Sequence, residues 1–475
     1  MSMSGMVSGH HLTTHNNTID NLSRGVGERV LYTNAKLDKP ISPVEGVFVR
    51  RLGSYRVAMV KRLGYQSPVS RQAFVGFYRG PRQVIYQKAV DGLAMKPIRP
   101  QDSYLKTFVK AEKINLTLKQ DPVPRVIQPR SPRYNVEVGR YLRPIEKIVY
   151  YGIDDLFEGP TVMSEYNSYN QALVLKAKWD KFSKPACVGL DASRFDQHVS
   201  QQALKFEHAF YNKIFKSKEL KNLLTWQLKN LGYADACDGS FKYLKYGSRM
   251  SGDMNTSLGN KFFMCLMAKS YIDQLPYPVE FVNNGDDCLM FMEEKHLHQL
   301  GGLKQYFRDF GFNIVTEAPV FEFERVVFCQ THPVYSNGVW RMVRGYRTCI
   351  SKDITNTNLG HSENEFRGWL KDVSMCGKTI AADVPVLGAF YNMLDRFSTD
   401  HKYGAGKYNE FAWFHTLGKN ARCVSTTPDD DSRLSYFIAT GMSPDEQLAL
   451  ENYFNEAVWG ISKRQLTTTI DYLFK

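Results

Sequence analysis

At 475 residues the chain is long enough for about three domains and a large buried core. With 43% hydrophobic and 23% charged residues it has the balance of a globular protein. Its longest apolar runs fall short of the ~20 residues that a membrane-spanning helix needs, and its N-terminus has no apolar signal core.

The net charge of +13 is concentrated in one segment. Residues 50–150 carry 21 Lys/Arg against six Asp/Glu. Such a segment faces a polyanion, such as nucleic acid or nucleotide phosphate, or else forms a solvated basic face. The eight cysteines include no CxxC pair. They read as reduced, mostly buried thiols, which excludes a disulfide framework and a zinc site.

Residues 1–40 are polar and read as a flexible tail. His11 and His15 have the i, i+4 spacing of a helical metal pair, but no Cys or carboxylate lies near to complete a site. Residues 42–150, rich in Pro, Gly, Arg and Tyr, read as strand and loop. Within them, "FVKAEKINLTLKQDPVPRVIQPRSPR" (108–133) carries Lys110, Lys113, Lys119, Arg125, Arg130 and Arg133, and its four prolines favour an extended path. Lysines and arginines on such a path suit a triphosphate or an RNA backbone; a basic surface loop is the plain alternative.

Residues 160–180 predict a helix. "PACVGLDA" (185–192) is an apolar run ending in an acid, the pattern of a buried strand, and Asp196 follows Asp191 by five residues. Residues 201–231 predict one or two amphipathic helices. "GSRMSGDMN" (247–255) predicts a loop, and 256–273 a helix on which Thr256 and Asn260 share a face. "FVNNGDDCLMF" (281–291) predicts a hairpin turning at Asn284-Gly285, with Asp286 and Asp287 at its tip. Residues 303–310 predict a helix, and 313–317 and 324–332 predict strands. Beyond about 350 the pattern is helical, with loops near 401–408 and 425–432. This irregular alternation predicts an α+β fold with a mostly antiparallel sheet.

A carboxylate at the end of a buried strand is costly unless a cation sits against it. If strands 186–191 and 281–284 pair in one sheet, Asp191, Asp286 and Asp287 converge. Hard divalent cations take such oxygen ligands, and two of them about 4 Å apart can serve in-line phosphoryl transfer. Read alone, the Asp pair could equally be solvated turn residues. Ser251 and Gly252 lie in the loop before the helix, and a Ser/Thr/Asn cluster there can read hydroxyls such as a ribose 2′-OH. A helix cap with a packed Asn is the plain alternative.

The order of these pieces carries more information than any one of them. A basic loop, DxxxxD, SGxxxTxxxN and GDD, in that sequence, resembles motifs F, A, B and C of viral RNA-dependent RNA polymerases. "GLDASRFDQHVS" and "SGDMNTSLGN" are most similar to the polymerases of tombusvirus-type positive-strand RNA plant viruses. The motifs span roughly 105–350.

The resemblance implies a right-hand fold of fingers, palm and thumb. N-terminal extension and fingers would occupy 1–157, palm 158–200, fingers again 201–250, palm 251–345 and thumb 346–475. It implies RNA synthesis from ribonucleoside triphosphates on an RNA template, with primer-independent initiation and two Mg2+ ions that Mn2+ can replace. Asp191, Asp286 and Asp287 would be the catalytic metal ligands. Lys110, Lys113, Arg125, Arg130, Asp196, Ser251, Thr256 and Asn260 would bind the nucleotide. Gly252, Phe328, Cys329 and Gln330 would contact RNA, the last three as a motif E-like strand turn supporting the nascent 3′ end.

The region matching motif D, "FGFNIVTEAPV" (310–320), lacks the basic residue that the family often places there. Relatives of this type are often readthrough products with membrane anchors upstream. The chain is therefore expected to be the polymerase part of such a product or to use a membrane-anchored viral auxiliary protein. Its expected location is the host cytoplasm, in membrane-associated replication complexes. A reverse transcriptase-like polymerase is the nearest rival, but it would carry a bulky residue at position 196 and lack the Ser-Thr-Asn set. A non-catalytic RNA-binding replication factor is a second rival, disfavoured by the intact acids.

Overall fold

The computed structural model describes residues 2–3, 12–356, 362–399, 418 and 427–459. At its centre is a four-stranded antiparallel sheet in the order Ile314–Thr316, Pro185–Ala192, Asp287–Glu293, Glu280–Asn284. Strands 185–192 and 280–284 thus share a sheet as expected, but 287–293 lies between them. The register sets Cys288 opposite Leu190 and Val315 opposite Asp191.

Side chains alternate between two cores, as the pleat requires. Val188, Leu190, Cys288 and Met290 face one apolar cluster, which contains Leu258, Phe262 and Cys265 of helix Thr256–Ile272. Cys187, Leu289 and Phe291 face a second, built on Ala172, Leu175 and Trp179 of helix Ser168–Trp179. With both faces covered, each fully buried Leu or Phe contributes about 1.5–3 kcal/mol. Asp191 is the one exposed residue of its strand. The sheet therefore acts as a rigid support for the polar residues at its end.

A second four-stranded sheet runs Val126–Ile127, Leu105–Val109, Lys229–Ala236, Gly239–Tyr246, with its middle pair parallel. Helix Ile19–Val26 packs Leu22 and Val26 against Leu105, Ala234 and Tyr243 of this sheet. The predicted flexible tail is therefore corrected over 19–26: Thr18 caps a helix there, and its apolar side chains are buried.

The strand-and-loop expectation for 42–150 is also corrected. Helices Val47–Leu63, Arg71–Val75, Pro81–Met95 and Pro132–Leu156 occupy most of it. Pro81 and Pro132 are first-turn residues, where a missing N–H loses nothing and the fixed φ favours helix entry. Gly46, Gly64 and Gly80 punctuate helix ends. Residues taken as breakers are boundaries.

The helices expected at 160–180, 201–231, 256–273 and 303–310 are present, the second as Gln201–Phe215 and Lys218–Thr225. The 324–332 strand is not. A 3-10 turn covers Phe323–Arg325, and the strand begins only at Thr331. Helices Tyr346–Lys352, Glu363–Ala381, Leu387–Phe397, Asp430–Thr440 and Pro444–Glu456 enclose a separate core around Trp369, Phe390 and Tyr436. The loop expected near 401–408 lies outside the described residues, as do 425 and 426 of the other. No helix among the described residues is long and apolar enough to cross a membrane.

Candidate active site

The acidic hairpin turns one residue later than its Asn-Gly signal predicts. Asn284 pairs with Asp287, so the two-residue loop is Gly285-Asp286. Gly285 takes φ +87°, which places a positive-φ glycine first in the loop, as a type II′ turn requires. Asn283 closes the turn: its Oδ1 accepts from Gly285 N at 3.1 Å and its Nδ2 donates to Gly285 O at 2.7 Å. This turn sets Asp286 at the tip and Asp287 as the first strand residue, on the face that Asp191 shares.

These carboxylates oppose one another's ionisation. Desolvation and the charge of Asp286 push Asp191 up from the usual aspartate range, and Lys119 partly offsets them. Desolvation, then Asp286, Asp191 and Glu317, push Asp287 up to about 6. Glu317 is a fourth acid that the sequence reading missed. Its backbone N donates to Gly189 O at 2.9 Å, and its side chain occupies the space above Gly189 that any larger residue would fill. Desolvation and Asp191 raise its pKa in turn. The signal available was an acid ending the predicted 313–317 strand.

Among the described residues no three His, Cys, Asp or Glu side chains already stand close enough to hold a metal ion. The fit to a divalent cation rests on donor chemistry. The acids are hard oxygen donors with excess negative charge, which a cation would relieve.

The motif E-like segment is a tight turn. Phe328 and Thr331 exchange two backbone hydrogen bonds of 2.9 Å, and the residues between them, Cys329 and Gln330, have φ +50° and +61°. Two consecutive non-glycine residues in this region cost about 1–2 kcal/mol each. The turn aims Cys329 at the acidic hairpin, where Sγ accepts from Asn284 Nδ2 at 3.3 Å. Burial, then Asp287, push this thiol up to about 12. Gln330 is exposed, but Phe328 is buried in the core under helix Ser168–Trp179 and cannot offer its ring to RNA.

Asp196 sits in the short helix Phe195–His198, entered through Arg194 at φ +51°. Asn260 Nδ2 donates to Asp196 Oδ1 at 2.7 Å, and Arg249 Nε donates to Asn260 Oδ1 at 3.2 Å. Thr256 is spent locally: its hydroxyl donates to Met250 O at 2.8 Å and Asp253 O at 2.9 Å, closing the loop before the helix. Ser251 Oγ accepts from Gln128 N at 3.0 Å. Gly252 bridges Pro129, and a Cβ there would lie 2.7 Å from Gln128 O. Both therefore fasten the basic segment to the loop.

The basic residues separate into two groups. Lys110, Lys119 and Arg125 line a cleft of about 470 Å3, with Asp196, Asn260 and Asp286 on its other walls. Lys110 and Arg125 share Glu112, at 3.0 and 3.2 Å. Arg29 joins them from the segment read as a tail. Burial first, then the charges of Arg194 and Arg125, push its pKa down to about 10, with Glu112 and Glu28 partly offsetting them.

Arg130 and Lys113 depart from the expected nucleotide contacts. Arg130 is 1% exposed, paired with Asp253, and donates to Ser103 O at 2.6 Å and Asn230 Oδ1 at 2.7 Å. Its donors are consumed in holding the loop. Lys113 Nζ donates to Lys352 O at 2.9 Å and lies 5.5 Å from the Trp369 ring, tying the basic segment to the C-terminal helices.

The chain matches the viral RNA dependent RNA polymerase family over residues 1–460. It is 42% identical over 458 residues to the RNA-directed RNA polymerase of Turnip crinkle virus, covering 95% of this chain and 59% of that protein. Against the RNA-directed RNA polymerase of Tobacco necrosis virus (strain A) the identity is 43% over 458 residues, covering 94% and 63%. Against that of Tomato bushy stunt virus (strain Cherry) it is 40% over 455 residues, covering 95% and 55%. The chain thus spans roughly half to just under two thirds of these curated relatives. An acid-tipped hairpin beside a second acidic strand, facing a basic cleft, is what these similarities lead one to look for, and the chain belongs to the tombusvirus-like viral RNA-dependent RNA polymerases.

Proposed function

We propose that this chain copies viral RNA from ribonucleoside triphosphates on an RNA template, working as a right-handed polymerase with the fingers, palm and thumb divided as above. One observation carries the reading: a single cleft is lined by Arg29, Lys110, Lys119 and Arg125 together with Asp286 of the acidic hairpin and the hydrogen-bonded Asp196–Asn260 pair.

Asp191 and Asp286 hold the divalent ions, assisted by Asp287. Bound Mg2+, or Mn2+ in its place, supplies Lewis acidity for in-line phosphoryl transfer. Lys110, Arg125 and Arg29 bind the triphosphate. Asp196, with one oxygen engaged by Asn260, keeps the other for the ribose 2′-OH. Ser251 and Gly252 hold the loop against the basic segment, and Gln330 and Cys329 support the nascent strand. The 3′-hydroxyl then attacks the α-phosphate, the bond to the β-phosphate bridging oxygen breaks, and pyrophosphate leaves. Primer-independent initiation, a membrane-anchored viral auxiliary partner and a cytoplasmic replication complex belong to the same reading.

The purified chain, given an RNA template, Mg2+ or Mn2+ and labelled nucleotides, should extend RNA. Asp286→Ala should abolish extension while retaining RNA affinity. Synthesis undiminished in that variant overturns the metal-ligand assignment.

A further inference from the structure

We propose that the buried Arg249–Glu207 ion pair is the positioning element for sugar selection, setting the orientation of the Asn260 carboxamide against Asp196. This deepens the polymerase reading and rests on it. An Asn side chain can present either its oxygen or its nitrogen to a neighbour. Arg249 offers only donors, so its Nε, 3.2 Å from Asn260 Oδ1, admits one orientation. In that orientation Asn260 Nδ2 must point at Asp196 Oδ1, 2.7 Å away. One carboxylate oxygen of Asp196 is thereby occupied, and the other is left as a hydroxyl acceptor on the cleft wall.

The guanidinium is itself anchored by Glu207. Arg249 Nη2 meets Glu207 Oε2 at 2.6 Å, and both side chains have no solvent exposure. The Arg249 backbone N donates to Asp196 O at 2.8 Å, which ties the loop to the residue it serves. Glu207 Oε1 accepts from Tyr211 OH at 2.7 Å and from Asn255 Nδ2 at 2.8 Å. Gly259, immediately before Asn260, leaves the helix face open over the pair; a Cβ there would meet both Arg249 and Glu207.

Stability alone does not call for this arrangement. An apolar pair of similar volume usually serves a core as well as a buried ion pair or better. What the ion pair adds is a fixed donor direction.

The test compares single-nucleotide incorporation of ribo- and 2′-deoxyribonucleoside triphosphates. Arg249→Lys keeps the charge but loses the Nε donor. It should lower kcat/KM for the ribonucleotide about tenfold, the worth of one well-placed hydrogen bond, and leave the deoxyribonucleotide value unchanged. In an Asn260→Ala background the same change should add nothing. The double variant Arg249→Met/Glu207→Met, which keeps the site filled and uncharged, should fold and lose the same selectivity. Parallel loss with both sugars, an unchanged ratio, or additivity with Asn260→Ala overturns the inference. If the wild type makes no RNA, the polymerase reading fails. Equilibrium binding of ATP and 2′-deoxy-ATP to wild type and Arg249→Lys then decides this one, and equal preference in the two proteins overturns it.

Discussion

Gly259→Ala sets helix propensity against packing. Gly259 lies within helix Thr256–Ile272, where propensity alone favours alanine by about 1 kcal/mol. The neighbours reverse the sign. A Cβ at this position would run into Arg249 Nη2 and Glu207 Oε1 and lie 2.8 Å from Arg249 Cζ. Both side chains are fully buried and bound to each other, so neither can swing out to solvent. Breaking a buried pair costs about 3–5 kcal/mol, so a net loss of about 2–4 kcal/mol remains after the propensity gain. Gly53, in helix Val47–Leu63, is the control: an added Cβ there would touch only Val49 Cγ1, at 3.9 Å. Gly53→Ala should therefore gain up to about 1 kcal/mol. Urea unfolding followed by circular dichroism reads both variants. A Gly259→Ala protein that unfolds at or above the wild-type midpoint would refute the reasoning.

Two further outcomes follow from the charges. Asp287 is held at about 6 when folded, against a usual 3.8, so the folded state keeps its proton longer than the unfolded chain does. The resulting penalty is absent below the lower value, grows as pH rises, and is complete above about 6. Asp287→Asn should raise the free energy of unfolding at pH 8 by about 1 kcal/mol after allowing for solvent screening, with a higher melting midpoint, and by less at pH 5. Added Mg2+ should narrow the difference at pH 8; a gain that ignores both pH and Mg2+ contradicts the mutual-repulsion account. Arg125 and Arg130 should also behave as opposites. Arg125, 56% exposed on the cleft, should raise nucleotide KM when changed to Ala, with melting unaltered. Arg130→Ala should cost about 3–5 kcal/mol by leaving Asp253 buried without its partner; a stable Arg130→Ala protein with weakened nucleotide binding would reverse the assignment.

Local pattern made much of the central support legible. The strand at 185–192, the helix at 256–272 and the acidic hairpin follow from apolar runs, helical spacing and turn residues, each of which acts over a few neighbouring positions. The helices of 47–156 were not legible, because a proline reads alike whether it breaks a helix or begins one. The turn at Phe328–Thr331, implied by the family resemblance, was hidden from the local pattern, which reads 324–332 as a strand: Cys329 and Gln330 carry no preference for the left-handed backbone they adopt.

The sequence by itself determined the order and spacing of the four motifs, and with them the family and the three acids of the hairpin and its neighbouring strand. Only the tertiary structure decided which charges face the cleft. Arg125 and Arg130 look alike in the chain, yet one is exposed on the cleft and the other is sealed against Asp253. Arg29 enters the cleft from a segment that carried no motif, and Glu317 joins the acids from the motif D-like stretch, where no acidic role was expected. Burial and charge pairing depend on partners brought together by folding, and no local pattern records that distance.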